Sequence, residues 1–220
     1  MRVTYEDVKR SEEIRTYITQ ADASLIALGF TEHSFAHVTR CAEVAGDLLE
    51  ELGYDEHQIE LCKIAAYMHD IGNVVNRHDH NVSGATMAFR ILDNMGMEPE
   101  DVAAVITAIG HHDDATAFPV NAIAAALILA DKTDVRRSRV RNRETINFDI
   151  HDRVNYAVER SEVSLDRDSK TFTLSLSINT EVCAVMDYFE IFLQRMLLCR
   201  KAAGFFGLTF KLDINGLTLL

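Results

Sequence analysis

Apolar positions recur at helical spacing through the first two-thirds of the chain and give way to alternation only after about residue 160. Ser11 to Leu28 is one such stretch, with Ser11 placed as an N-cap and Gly29 as a stop. A second helix follows Thr31 and runs to Leu52, closed by Gly53. Asp55 caps a third, "EHQIELCKIAAYMHD", whose apolar face is Ile59, Cys62, Ile64, Ala65, Tyr67 and Met68. "NVSGATMAFRILDNMG" predicts a fourth helix ended by Gly96. "EPEDVAAVITAIG" predicts a fifth with Pro99 near its first turn and its end at Gly110. "VNAIAAALILADKTDVRR" is a sixth, so apolar on all sides in its first half that it belongs at the centre of a bundle.

The period then changes. "SEVSLDRDSKTFTLSLSIN" alternates around a polar turn at Asp166–Lys170, which predicts a hairpin. "TEVCAVMDYFEIFLQRMLLCRKAAG" reads as an amphipathic helix, and "LTFKLDINGLTLL" sets Asn215-Gly216 between short apolar segments as a second turn. The expected architecture is mainly α: a helical domain over residues 1–155 and a small α+β appendage over 156–220. The stretch "RVRNRETINFDIHDRVNYAVERS" is assignable to either part.

Composition narrows the function classes. Apolar residues make up 48% of 220, enough for a real core, and two prolines leave long helices unobstructed. A formal net charge of −12 disfavours a protein that grips long nucleic acid through its phosphates. The four cysteines, Cys41, Cys62, Cys183 and Cys199, form no C-x-x-C pair and sit in apolar surroundings, as small buried hydrophobes do. The charged N-terminus lacks an apolar signal core, and the longest apolar run, Ala122–Ala130, is too short to span a bilayer. A cytoplasmic protein with no membrane partner is expected.

The chemistry lies in the histidines. His37 falls mid-way in the second helix, His69-Asp70 ends the third, His80 begins the fourth and His111-His112 ends the fifth. Asp131 lies in the last turns of the sixth. Ends and mid-points of several helices can meet at one pocket of a bundle. Imidazole with carboxylate is a donor set for Fe, Mn, Ni or Zn, and a carboxylate can bridge two ions. Arg40, one turn after His37, is a candidate phosphate contact, as are Lys132, Arg136 and Arg137 after Asp131. Ser83, one turn beyond His80, offers a hydroxyl.

In order and in helix context, His37, His69-Asp70 and Asp131 resemble the HD-domain metal-dependent phosphohydrolases. "HVTRCAEVAGDLLEELG", "CKIAAYMHDIGN" and "ALILADKTDVRR" are similar to that family's ligand helices over roughly residues 30 to 140. "HNVSGA" and "GHHDD" resemble segments of its binuclear members, including the HD-GYP phosphodiesterases. The resemblance implies one metal on His37, His69, Asp70 and Asp131, and a second on His80, His111 and His112, bridged by Asp70. Asp70 and His69 are then the catalytic pair. Two divalent transition metals per chain are implied, Fe or Mn first, with Mg, Ni or Zn as alternatives. Two departures count against cyclic di-GMP as substrate. No Gly-Tyr-Pro follows His112, and Asn73 stands where the HD-GYP proteins carry lysine.

The expected function is therefore metal-dependent hydrolysis of a small phosphorylated substrate: a phosphomonoester, nucleotide or phosphodiester. A metal-binding regulatory protein with a vestigial site and a diiron oxygenase are the alternatives. His33 and His78 compete with His37 and His80 and are assigned to the rim or surface; His57 and His151 are read as surface residues. The arginine run Arg136, Arg137, Arg139, Arg141 and Arg143 is either a solvated helix end or a phosphate-collecting rim. The C-terminal sheet edge offers a route to a homodimer.

Overall fold

The computed structural model describes residues 3–141 and 150–219. Arg143 lies outside the described residues. Nine α-helices and four strands follow one another among those described: α1 (Tyr5–Arg10), α2 (Glu12–Ala27), α3 (Phe35–Glu51), α4 (Glu56–Met68), α5 (His80–Asn94), α6 (Pro99–Gly110), α7 (Ala122–Lys132) and α8 (Ile150–Ala157), then β1 (Val158–Asp166), β2 (Thr171–Ile178), α9 (Val185–Phe205), β3 (Thr209–Ile214) and β4 (Leu217–Thr218). Short 3-10 turns at Ile71–Val74 and Arg137–Arg139 complete the list. The fold is mainly α with a small α+β part, as the change of period implies.

Local chemistry sets the ends. Ser11 caps α2 by accepting from the Ile14 N–H, Asp55 caps α4 through the Gln58 N–H, and Asn121 caps α7 through the Ala124 N–H. Pro99 is the first residue of α6. α1 has a signal that the charged N-terminus hides: Thr4 and Asp7 exchange side-chain and backbone bonds in a capping box.

Two boundaries differ from those the spacing predicts. α3 starts at Phe35 rather than after Thr31, so His37 sits in its first turn. Residues 32–34 are drawn out of the helix because Glu32 binds the Ser34 N–H at 2.7 Å and its own N–H donates to the Arg139 carbonyl. α7 stops at Lys132, where Thr133 caps the chain and donates its hydroxyl to the Leu129 carbonyl. The chain then turns so that Asp134 reaches back to His37.

α7 is the axis of the bundle. Its residues 123–130 are all buried, and α3, α4, α6 and α9 pack around it. The sheet order is β1-β2-β3-β4. β1 and β2 form the antiparallel hairpin, β2 and β3 run parallel with α9 as the crossover, and β4 folds back on β3 across Asn215-Gly216. Phe172, Leu174, Leu176 and Ile178 of β2 and Phe210, Leu212 and Ile214 of β3 line the buried face. The expected division at residues 155 and 156 falls inside α8, and α9 packs on both α7 and β3. No helix among the described residues is long and apolar enough to cross a membrane.

One close approach positions the functional end of the bundle. Gly72, in the turn after α4, lies against α5 so tightly that an added Cβ would stand 1.9 Å from the His80 carbonyl oxygen and 2.5 Å from the Gly84 nitrogen. Gly84 faces it, with room for a Cβ only at 3.3 Å from the Gly72 nitrogen and the His69 oxygen. Backbone blocks both directions, so Gly72→Ala should destabilise the protein by about 2–4 kcal/mol. Gly204→Ala, in α9 with nothing within 4 Å, should be neutral or stabilising by about 0.5–1 kcal/mol. Thermal melts of the two variants check this; equal melting temperatures would contradict it.

Candidate metal centre

Four histidines reach one point from four segments of the chain. His37 stands in the first turn of α3, His69 caps the end of α4, His80 opens α5 and His112 follows α6. All four are buried. A buried imidazole must place both of its nitrogens, and here every Nδ1 is taken. Nδ1 of His69 meets the Ala66 carbonyl at 2.7 Å, that of His80 the Arg77 carbonyl at 3.1 Å, and that of His112 the Ile109 carbonyl at 2.6 Å. Nδ1 of His37 meets Asp134 Oδ2 at 2.7 Å. Those partners are acceptors only, so Nδ1 is the donor each time and Nε2 is left as the basic, inward-facing nitrogen.

The four Nε2 atoms surround the carboxylate of Asp70. Oδ2 is 3.3 Å from His69 and 3.7 Å from His37, while Oδ1 is 3.4 Å from His80 and 4.0 Å from His112. Asp131 Oδ1 adds a second acid, 3.4 Å from His37 and 3.9 Å from His69. Nε2 of His80 and Nε2 of His112 are only 3.1 Å apart. Buried lone pairs aimed at one another and at carboxylates repel unless a cation lies between them. His69 Nε2 and Asp70 Oδ2 are buried without any hydrogen-bond partner.

The residues fit a metal on these grounds. Ligand atoms of His37, Cys41, His69 and Asp131 lie within 4.8 Å of one another, and so do those of His69, Asp70 and His112. Burial opposes charge on His69, but Asp70 and Asp131 outweigh it and raise its pKa. Burial, joined by the charges of His69, Lys132 and His80, holds His112 well below the usual imidazole range. Asp70 would be pushed up by burial alone; the imidazoles of His69 and His80 beside it hold it well below the usual carboxylate range instead. Asp131 behaves alike, with burial overcome by Lys132 and His37.

Residues 34–190 match the HD domain family, a span that contains all of these side chains. The chain belongs to the HD domain family. An uncharacterized protein of Methanocaldococcus jannaschii is similar to it, 24% identical over 203 residues that cover 82% of this chain and 78% of that one. Ribonuclease Y of Cutibacterium acnes is 32% identical over 117 residues, 50% of this chain but only 20% of that longer enzyme. Membership of the HD family implies metal-dependent hydrolysis, and the His/Asp clusters are able to hold a metal.

Around the HD doublet, three residues set the geometry that the histidine pattern does not reveal. Asn73 donates from Nδ2 to Asp70 Oδ1 at 2.9 Å and accepts from Arg77 at 3.2 Å, which fixes the carboxylate's plane. Arg77 also stands 3.4 Å from His80 Nε2. Asp134 orients His37 and itself receives Arg40 Nε at 3.2 Å, Arg136 Nε at 2.7 Å and Arg139 at 3.7 Å. The "ADKTD" spacing, with Asp134 three residues after Asp131, is the only sequence signal for it.

The other expected contacts divide. Lys132 is buried against the centre, 2.7 Å from Asp131 Oδ2 and 3.0 Å from Asp114 Oδ1. His111, half-buried at the end of α6, turns Nδ1 to the Thr107 carbonyl at 2.9 Å; no contact of its ring with Asp70, His80 or His112 is found among the described residues. Ser83 Oγ lies 3.3 Å from each of the Gly72, Asp79 and His80 carbonyls. Arg136 binds Asp134 and Glu32, and Arg137 donates to the Tyr156 carbonyl at 2.6 Å, so the structure does not bring Arg137 to Asp70. His78 pairs with Asp79 in the open. His33 lies at the rim, its ring 5.4 Å from that of His37.

Asp134→Asn should weaken metal binding about 10–100-fold, the usual cost of losing a carboxylate behind a ligating histidine. Isothermal titration of the metal-free protein with Mn²⁺ measures it, and unchanged affinity would contradict the role given to Asp134. Its effect on stability has a sign in pH. Burial raises the Asp134 carboxyl, but His37 and Arg139 outweigh this and depress it below its unfolded value, so its contribution is present above about pH 4 and is lost on acidification. The melting-temperature gap between wild type and Asp134→Asn should therefore narrow from pH 7 towards pH 3.

Proposed function

We propose that the protein is a metal-dependent phosphohydrolase of small phosphate esters, with two divalent cations held on either side of Asp70. The observation that carries this reading is the division of the Asp70 carboxylate, whose Oδ2 faces His37 and His69 while its Oδ1 faces His80 and His112. His37, His69, Asp70 and Asp131 would hold one ion, and Asp70, His80 and His112 the other, with Fe or Mn the first expectation. Such ions, when bound, lower the pKa of a water and polarise phosphoryl oxygens.

The chain's own side chains supply the remainder. Asp70, ionised and fixed by Asn73, orients the attacking water. Lys132 stays charged: burial opposes this, but Asp131 and Asp114 raise its pKa, and its ammonium balances Asp131. Arg77, next to His80, meets a phosphoryl oxygen as negative charge builds. Family membership supports hydrolysis of a phosphate ester, and so does the partial likeness to a protein named as a ribonuclease. The net charge of −12 favours a small substrate over a long nucleic acid.

The test is an assay of metal-depleted protein reloaded with Mn²⁺ or Fe²⁺ on p-nitrophenyl phosphate, bis(p-nitrophenyl) phosphate and a nucleotide panel. Turnover should require the metal and fall at least about 100-fold in Asp70→Ala. Turnover that survives Asp70→Ala would reject the site.

A further inference from the structure

A cavity of about 310 Å³ opens beside the metal centre, between the loop that follows α2 and helices α8 and α9. Its walls are continuous with the centre at three points. His33 brings its ring 5.4 Å from that of His37, Arg77 stands 3.4 Å from His80 Nε2, and Arg139 is 3.7 Å from Asp134 Oδ2. The volume is at the small end of small-molecule sites, which run from roughly 300 to 1,000 Å³. It suits a ligand of about mononucleotide size.

The lining reverses the charge of the chain. Three guanidiniums face one carboxylate, Asp152, in a protein whose net charge is −12. Arg139 is committed to structure, with Nε on the Glu32 carbonyl at 2.9 Å and Nη1 on the Asp134 carbonyl at 2.8 Å. Arg77 and Arg195 are committed only in part. Each sets its guanidinium carbon over a phenyl ring of the same cavity, Arg77 at 5.5 Å from the Phe30 centroid and Arg195 at 5.0 Å from that of Phe192. A ring face attracts the cation. Arg77 spends Nη1 on Asn73 Oδ1 at 3.2 Å, and no bond of its Nε or Nη2 is found among the described residues. Arg195 is held further by Nε on Asp114 Oδ2 at 2.9 Å, and no bond of its terminal nitrogens is found among the described residues. Asp114 leads through Lys132 to Asp131, so a chain of alternating charges joins α9 to the metal centre.

We propose that this cavity takes a small organic phosphate bearing a second anionic group, with Arg77 on the phosphate presented to the metal centre and Arg195 on the second anion. The C-terminal helix then supplies the specificity-determining residue of a site whose other parts come from the helical bundle. Which end reacts rests on the hydrolase reading; the selectivity for two anions does not.

Binding to the metal-free protein in EDTA separates the two. Isothermal titration would compare matched ligands differing by one anionic group: 3-phosphoglycerate against glycerol 3-phosphate, and adenosine 3′,5′-bisphosphate against adenosine 5′-monophosphate. The expected result is that the doubly charged member binds about tenfold or more tighter in at least one pair, the scale of a charge-assisted bond. Arg195→Gln should abolish that difference, with its fold checked by circular dichroism. Equal binding within both pairs by the wild-type protein overturns the proposal without any variant. A preference that persists in Arg195→Gln overturns the role of Arg195. A preference in EDTA with no turnover of any ester after metal loading sustains the cavity and sinks the hydrolase reading instead.

Discussion

A carboxylate and four imidazoles share one buried site, and the surrounding parts of this end of the molecule hold that arrangement in place. Asp70 and the four histidines are buried, and the inward-facing nitrogens have mostly one another and two acids for company. Such a cluster is costly unless a cation neutralises it. The fold reduces the cost in two ways. It fixes each ring from behind, through carbonyls of Ala66, Arg77 and Ile109 and the carboxylate of Asp134, so no ring can rotate away. It also stations Lys132 and the arginines on the outer oxygens of Asp131 and Asp134, which keeps those acids ionised.

Much of this was legible in the chain itself, because helix ends carry chemical punctuation. Ser11, Asp55 and Pro99 mark starts that the structure keeps, and Gly29, Gly53 and Gly96 mark stops with positive φ. The convergence of the His/Asp cluster was legible because His69-Asp70 and His80 sit at such ends, where side chains from different helices meet. The "HNVSGA" segment also carries the glycine, Gly84, that lets the turn at Gly72 close on α5. What escaped the sequence is long-range. Nothing local tells that Glu32 will bind near Arg136, 104 residues away, or that Asp134 will reach His37 across 97 residues. The early start assigned to α3 and the late end assigned to α7 come from the same source: tertiary bonds to Glu32 and Asp134 pull residues out of helices that spacing alone would extend.

The arginines show the same limit from another side. A run of five after Asp131 reads as a rim for phosphate, yet Arg136 and Arg139 are turned inward to acids and carbonyls, and Arg141 pairs with Asp22. The guanidiniums that face the cavity over phenyl rings, Arg77 and Arg195, stand alone in sequence and are 118 positions apart. A charge run advertises itself in a sequence; a pair assembled by packing does not. α9 matters for this reason, since its packing on α7 carries Phe192 and Arg195 to the edge of a centre built from earlier helices.

The central claim is that Asp70 divides its carboxylate between two cations. Titration of metal-depleted protein with Mn²⁺, followed by electron paramagnetic resonance, tests it most directly, because free Mn²⁺ is counted in the same spectrum that reports coupling between bound ions. The account predicts two ions per chain and a spectrum broadened by exchange through the shared carboxylate. A single uncoupled ion per chain, or none, would contradict it.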